Sequence, residues 1–354
     1  LCLWMGFMRV GEKGGAVQLL SKAVSPLFKR LFPEIPSDHP AVGSIMMNFS
    51  ANMLGLDNAA TPLGLKAMNE LQTLNPEKEK ASNAQIMFLV LNTSGLTLIP
   101  VSILAYRSAA GSSAPSEVFL PILLATFCST LVGMTFVAIR QRINLFHPVI
   151  LAYVGALVSM IAALLYLVAV HPEYADAISN VGGNVMLIGI ITLFLLLAVR
   201  KKVNVYDEFI EGAKEGFDVA KNLLPYLVAM LCAVGVLRAS GALDVVLDMI
   251  RYLANSFNWD TRFVDALPTA LVKPFSGSAA RAMLIDTMTT HGVDSFPSLL
   301  AATVQGSTET TFYVLAVYFG AVGIQRARHA VACALFADLV GVLASIAVCY
   351  WFFG

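Results

Sequence analysis

The sequence predicts an all-α integral membrane protein of two inverted-topology repeats, with re-entrant hairpins and discontinuous transmembrane helices. Three observations predict it. The first is composition. Hydrophobic residues make up 57% of the 354-residue chain and charged residues only 13%, about half the charged share of a soluble domain. Mean hydropathy is +0.74. Several windows approach or exceed the roughly 20 apolar residues needed to cross a bilayer, and residues 148–170 contain no charge at all. The second is repetition. Gly14-Gly15-Ala16-Val17 and Ser240-Gly241-Ala242-Leu243 each open an amphipathic stretch, and Asn48-Phe49-Ser50 and Pro274-Phe275-Ser276 follow each at the same distance. The third is interruption. Polar, Gly-rich islands break apolar segments in both halves, the mark of a repeat-built transporter.

The elements follow in order. Residues 1–8 read as the end of a membrane helix that begins upstream, rather than as a signal peptide. Residues 9–30 place Arg9, Lys13, Lys22, Lys29 and Arg30 among Val17, Leu19, Leu20 and Val24, which predicts one helix lying in the interface. Pro33, Pro36 and Pro40 end it. Residues 42–56 are apolar but too short to span, and Asp57-Asn58-Ala59-Ala60-Thr61-Pro62 separates them from 63–71, so a re-entrant hairpin is expected. Residues 75–80 form an aqueous loop. Residues 84–106 are long enough to span but break at Asn92-Thr93-Ser94-Gly95. After a loop at 107–117, spans are expected at 118–139, 148–170 and 184–199, with a loop at 171–180 and a turn at Gly182-Gly183. An amphipathic stretch at 206–221 and a separate span at 223–237 lead into the second copy. That copy has an amphipathic helix at 242–257, a hairpin at 263–288 broken at 275–279, and a broken helix at 296–320. A last span covers 330–353. Residues 1–140 thus form a first repeat, 141–205 linking spans and 206–354 a second repeat.

Charge sets the orientation. No Lys or Arg occurs from 143 to 199, while Arg140 and Arg142 precede this stretch and Arg200, Lys201 and Lys202 follow it. Two spans lie between, so both clusters share the cytoplasmic side. Counting spans outward puts the first amphipathic helix inside and its copy, 242–257, outside. The repeats therefore have opposite orientations.

Exposed backbone at membrane depth is tolerated only where protein or a wet cavity covers it, so each island is a candidate binding site. The first copy offers Asn48, Ser50, Asn52, Asp57 and Asn58 on its hairpin and Asn92, Thr93 and Ser94 on its broken helix. The second offers Lys273, Ser276, Ser278 and Arg281, and Gln305, Ser307, Thr308 and Glu309. One central cavity is expected, with Gln305, Thr308 and Glu309 facing Asn48, Ser50 and Asn52. Glu309 is the sharpest residue, because an ionised carboxylate costs about 2.5–3.5 kcal/mol at membrane depth. Plainer roles stand beside these. Ser50, Ser94, Thr97 and Ser278 suit helix packing as well as ligand contact. Glu309 can pair with Lys273 or Arg281 as a structural ion pair, and Asp57 can simply cap its helix. The five histidines sit at span ends or in loops. The five cysteines lie scattered in apolar runs, and neither set forms a metal or redox cluster. No nucleophile–base grouping is present, so no enzymatic activity is expected. A net charge of zero gives no reason to expect nucleic acid.

Longer strings carry a resemblance. Residues 8–72, including Asn52-Met53-Leu54-Gly55-Leu56-Asp57-Asn58-Ala59-Ala60-Thr61-Pro62, resemble the spore maturation protein A family. Residues 206–325, including Glu211-Gly212-Ala213-Lys214-Glu215-Gly216 and Gln305-Gly306-Ser307-Thr308-Glu309-Thr310-Thr311-Phe312, resemble the spore maturation protein B family. Each half is similar to the Gate, or nucleoside-recognition, domain, which also occurs in concentrative nucleoside transporters and in a ferrous-iron transport protein. The resemblance implies a natural fusion of the two proteins. In the nucleoside transporters a Gln-Thr-Glu string helps bind the nucleoside; Gln305, Thr308 and Glu309 are similar in type, with two residues inserted. The expected function is a permease of a small polar solute, nucleoside-like or a small anion, in a bacterial cytoplasmic membrane. No cofactor is expected; Na+ or H+ is the candidate coupling ion, and homo-oligomers are compatible with the reading. The alternative is a non-transporting assembly factor in spore or envelope maturation.

Overall fold

The computed structural model describes residues 2–36, 38–53, 57–95, 97–170 and 175–354, without the side chains of 57–59 and of positions scattered over 157–187 and 219–238. Among the described residues the chain is helical, with no strand beyond an isolated bridge between Lys80 and Arg326.

The first copy runs α1 (Cys2–Gly14), α2 (Ala16–Leu31), α3 (Pro40–Met53), α4 (Asp57–Leu74), α5 (Asn83–Thr93), α6 (Val101–Ala109) and α7 (Phe119–Gln141). Two further helices, α8 (Pro148–Val170) and α9 (Ala175–Arg200), stand between the copies. The second copy runs α10 (Val205–Ala239), α11 (Ala242–Ser256), α12 (Leu267–Val272), α13 (Gly277–His291), α14 (Phe296–Ser307), α15 (Thr311–Ala321) and α16 (Ala330–Phe353). The order of the two copies matches element by element, with a helical pair, a hairpin, a broken helix and a long apolar helix. The helices long and apolar enough to cross a membrane are 115–141 and Ala330–Phe353 among the described residues.

Local chemistry explains the junctions. Gly15 at φ 94° and Gly241 at φ 72° occupy the left-handed region, which costs other residues about 1–2 kcal/mol. Each turns the chain from a first helix into an amphipathic one, and they sit at the same place in the two copies. Ser82 starts α5 with a capping box, accepting from the Gln85 N–H while the Gln85 side chain returns to the Ser82 N–H. Ser276 caps α13 by accepting from the Ala279 N–H at 3.2 Å.

Several boundaries differ from the sequence expectation. Gly15 divides the single helix expected at 9–30 between α1 and α2. The stretches 206–221 and 223–237 form one helix, α10, because a change from amphipathic to apolar composition is not a turn. Residues 175–180 and Gly182-Gly183 lie inside α9 rather than in a loop and a turn; residues 171–174 fall outside the described set. The second hairpin breaks at 273–276, earlier than 275–279, because the Ser276 cap commits Gly277 onward to helix.

The two copies meet through small residues. On α7 and α16, Ser129 and Gly133 face Ala337 and Gly341. A Cβ at Gly133 would lie 3.0 Å from the Ala337 Cβ, and one at Gly341 would lie 3.1 Å from the Ser129 Cβ. The Ser129 hydroxyl donates to the Ala337 carbonyl at 2.9 Å. Both helices thus carry a small-x-x-x-small pair, which lets backbones approach closely. Helices α1 and α10 do the same: Gly212 and Gly216 lie against Met5 and Cys2, and Arg9 bonds Glu208 at 2.9 Å and also Glu215.

The second half of each broken helix crosses to the other copy. Helix α15 packs in the core built on α2 to α5, with Leu315, Tyr318 and Phe319 beside Phe28, Phe49 and Phe88. Helix α6 packs in the core built on α13 and α14, with Val101, Ile103 and Leu104 beside Leu284, Met288 and Leu299. A ladder of rings marks the first crossing, with centroids 4.6 Å apart for Phe28–Phe49, 5.4 Å for Phe49–Phe88 and 5.6 Å for Phe88–Tyr318. Such pairs contribute about 0.5–1.5 kcal/mol each beyond their burial.

Each crossing is fastened at its outer end. Arg107, at the end of α6, has no exposed side-chain surface and donates to Asp294 at 2.9 Å and to the carbonyls of Val293, Ala114 and Pro115. At the other end, the N–H groups of Gln325 and Arg326 donate to the Glu79 carbonyl at 2.9 Å, and the Ala81 N–H donates to the Arg326 carbonyl at 3.0 Å.

Candidate functional site

The breaks at 94–100 and 308–310 touch. The Glu309 N–H donates to the Thr93 carbonyl at 3.0 Å. Gly95, at φ 70°, is held so close that a Cβ would lie 3.0 Å from both the Ser307 carbonyl oxygen and the Thr308 Cα. The Thr126 hydroxyl bonds the Gly95 carbonyl. Backbone groups released by one break are thus satisfied partly by the other copy, as burial requires.

Polar side chains gather on either side of this contact. On one side is the first hairpin. Asn48 is fully buried; its amide donates to the Ala60 carbonyl at 2.8 Å, and its nitrogen and the Tyr318 hydroxyl of α15 both lie against Gly64. Any side chain at Gly64 would overlap that hydroxyl. Asn52 donates to the Asn92 side-chain oxygen at 2.8 Å, and Asn92 donates back to the Phe88 carbonyl at 2.8 Å. The Ser50 hydroxyl is buried with no hydrogen-bond partner among the described residues. Asp57 and Asn58 open α4, but their side chains lie outside the described set.

On the other side is the second hairpin. Lys273 is 5% exposed and its ammonium donates to the Gln305 carbonyl at 2.9 Å. The Ser276 and Ser278 hydroxyls are 3.1 Å apart. The Arg281 guanidinium donates to the Gly277 carbonyl at 3.2 Å and to the Tyr106 hydroxyl of α6 at 3.4 Å. Gln305 is buried, and its side-chain oxygen has no partner among the described residues.

A rule emerges from these bonds. Each hairpin is tied to the first half-helix of its own copy, through Asn52–Asn92 and Lys273–Gln305. Each also meets the second half-helix of the other copy, through the approach of Asn48 and Tyr318 at Gly64 and the Arg281–Tyr106 bond. The sequence suggested a single cavity with Gln305, Thr308 and Glu309 facing Asn48, Ser50 and Asn52. Instead the breaks are in contact and the polar groups form two clusters. Glu309 is exposed beside the contact, and its charge reaches both Tyr318 and Asp338. Of the cavities described, one of about 460 Å³ lies between α2 and α3, and one of about 400 Å³ extends from α2 to the first break, where Leu91, Thr97, Leu98, Thr126 and Thr130 line it.

Some candidates serve the helices themselves. The hydroxyls of Thr93, Ser94 and Ser307 return to the carbonyls of Val90, Leu91 and Val304. Ser94 also meets Thr130 at 3.1 Å and Ser307 meets Ser345 at 3.0 Å. Thr308 packs its methyl on Gly341. Sequence reasoning missed Tyr106, Tyr318 and Asp338. Asp338, the lone charge of α16, is 5% exposed and accepts the Thr311 hydroxyl at 2.6 Å. A single acid in an uncharged apolar span was the signal that would have found it.

A family model described as Gate, nucleoside recognition, matches residues 1–113 and 220–325. The chain belongs to the Gate family. The two matched segments hold both hairpins and both helix breaks, so the crossed clusters lie within Gate sequence. Spore maturation protein B of Bacillus subtilis (strain 168) is 46% identical over 165 residues, 47% of this chain and 91% of that protein. Spore maturation protein A of the same organism is 45% identical over 129 residues, 36% of this chain and 66% of that protein. The two match separate halves, as a fusion would. No solved structure matches the chain.

Proposed function

We propose that this Gate protein is a multi-pass protein of a bacterial cytoplasmic membrane that binds and passes a small polar solute, nucleoside-like or a small anion. The observation that carries the reading is the crossed pairing. Each hairpin's polar face is completed by a half-helix of the other copy, so a rocking of one copy against the other would open and close both clusters. Repeat transporters with discontinuous helices alternate access in that way. The apolar α7, α8 and α16 and the basic clusters around 143–199 support a membrane location with the two copies inversely oriented. The reading assigns binding rather than catalysis, and it needs no cofactor.

The test is uptake into liposomes carrying the purified chain, with a panel of nucleosides, small carboxylates and metal ions. Accumulation of one class above protein-free vesicles supports the reading. In that assay Glu309→Gln should cut flux while the melting temperature in detergent stays near the parent value. A lowered melting temperature with unchanged flux per folded protein would make Glu309 structural.

A second reading is favoured by one observation: the breaks are in direct contact, and both relatives are named for spore maturation. The chain would then be a membrane scaffold for envelope assembly. It predicts no uptake of any panel member, together with specific capture of a protein partner.

A further inference from the structure

Helix α16 carries one charged residue, Asp338, in 24 positions. Its Oδ2 accepts the Thr311 hydroxyl at 2.6 Å, while its Oδ1 is sealed from solvent with no hydrogen-bond partner among the described residues. Thr311 is the first residue of α15, so the carboxyl lies at the positive end of a half-helix. The Pro274 carbonyl accepts the Phe312 N–H at 2.9 Å, which places Lys273 next to the start of α15, where Thr311 bonds Asp338. The ammonium of Lys273 is bonded to the Gln305 carbonyl, and the Gln305 side-chain oxygen is a second buried acceptor without a donor. Among the described residues, two buried acceptors in this region therefore lack donors.

The surroundings select the occupant. A divalent ion needs about six oxygen ligands, yet no group of three or more His, Cys, Asp or Glu occurs among the described residues, and Lys273 would repel a metal ion. A proton needs one lone pair. Placed on Asp338 Oδ1, it converts an orphan acceptor into a donor. The helices packed around α16 bring few ionisable groups: α5 and α14 none, α7 Cys128 and Arg140, α9 Asp176 and Arg200, and α15 Tyr313 and Tyr318. Lys273, next to Pro274, and Glu309, two residues before Thr311, are the charged groups at the junctions that flank α15.

We propose that Asp338 is a proton-carrying residue, with Lys273 as its alternating counter-charge. With no solute bound, ionised Asp338 is balanced by Lys273. When the negative or carbonyl oxygen of a solute takes up the Lys273 charge, Asp338 loses its counter-ion and binds one proton at Oδ1. For a monoanion the site then gains one negative and one positive charge, so its net charge is unchanged. Loss of the solute returns Lys273 to Asp338 and releases the proton. The proton site stands on the geometry alone; its coupling to a solute rests on the permease reading.

The experiment uses the full chain in lipid vesicles. Infrared spectra recorded across a pH series should show the carbonyl band of a protonated, buried carboxyl. The band should shift with carboxyl-¹³C-aspartate labelling, vanish in Asp338→Asn and persist in Glu309→Gln. Labelling needs no variant, so a poorly folded Asp338→Asn does not block the test. A band that does not titrate, or that survives Asp338→Asn unchanged, overturns the proposal. The second arm measures radiolabelled uridine and succinate uptake with and without an inside-alkaline gradient. The ratio of uptake with the gradient to uptake without it should fall to one in Asp338→Asn. A titrating Asp338 band without uptake keeps the proton site and overturns the permease reading. Uptake without the band does the reverse.

Discussion

Thr93 and Glu309 join the two helix breaks through a single backbone hydrogen bond, 3.0 Å from the Glu309 nitrogen to the Thr93 oxygen. Residues from opposite copies thus close one polar gap. Gly95 makes the approach feasible, since it is both left-handed and within 3.0 Å of Ser307 and Thr308.

Gly95→Ala should therefore destabilise the fold by about 1–3 kcal/mol, through positive-φ strain and contact with the facing break. The melting temperature in detergent measures it. Gly43→Ala is the control, because a Cβ there meets nothing within 4 Å. Equal effects at the two glycines would refute the close approach.

Asn48 and Tyr318 should be energetically coupled across the copies. Asn48→Ala and Tyr318→Phe each remove about 0.5–1.5 kcal/mol of hydrogen bonding. The double variant should lose less than their sum, by about 0.5 kcal/mol or more. Strict additivity in a double-mutant cycle would show that the contact is idle.

Asp294 gives the outer fastening a pH dependence. Partial burial alone would raise this carboxyl, but bonds from Ser112 and Ser113 and the Arg107 charge outweigh it and hold it below the ordinary carboxylate range. A depressed folded-state value stabilises above the unfolded value of about 3.9, and that stability disappears as pH falls through the lower, folded value. Asp294→Asn should lower the melting temperature at pH 7 and flatten its acid-side decline. Arg107 would keep its carbonyl partners, so about 1–3 kcal/mol is expected. A variant whose acid decline parallels the parent's would remove Asp294 from that role.

Orientation is open to labelling. In a cysteine-free background, Ala175→Cys should react with an impermeant maleimide only from outside, and Lys202→Cys only from the cytoplasm. Reaction of both from one face would end the inverted-repeat reading.

The repeat and the breaks were legible in the sequence because Gly and polar residues have few uses inside apolar runs. Gly15 and Gly241, and Ser94-Gly95 and Thr308, show this directly. The crossing was not legible. Tyr106 and Tyr318 look like ordinary interfacial aromatics, and only the three-dimensional path brings them to Arg281 and Asn48. The facing of the polar islands was hidden for the same reason: spacing located the islands but not their partners. The split of α10 failed because Lys221-Asn222 looked like a boundary, whereas one helix passes through it. Asp338 was readable and was passed over because it sits in no island.

The crossing of α6 and α15 also bears on how the chain is made. While the first copy emerges from the ribosome, Asn48 and the ring ladder ending at Phe88 have no Tyr318 to meet. Helix α6 likewise has no α14 to lie on. Neither copy can complete its own interior, so the first stays half assembled until the last third of the chain has been translated. The same dependence means that a chain severed at 201–204 should reassemble only when both pieces are synthesised together, each serving as the other's folding template.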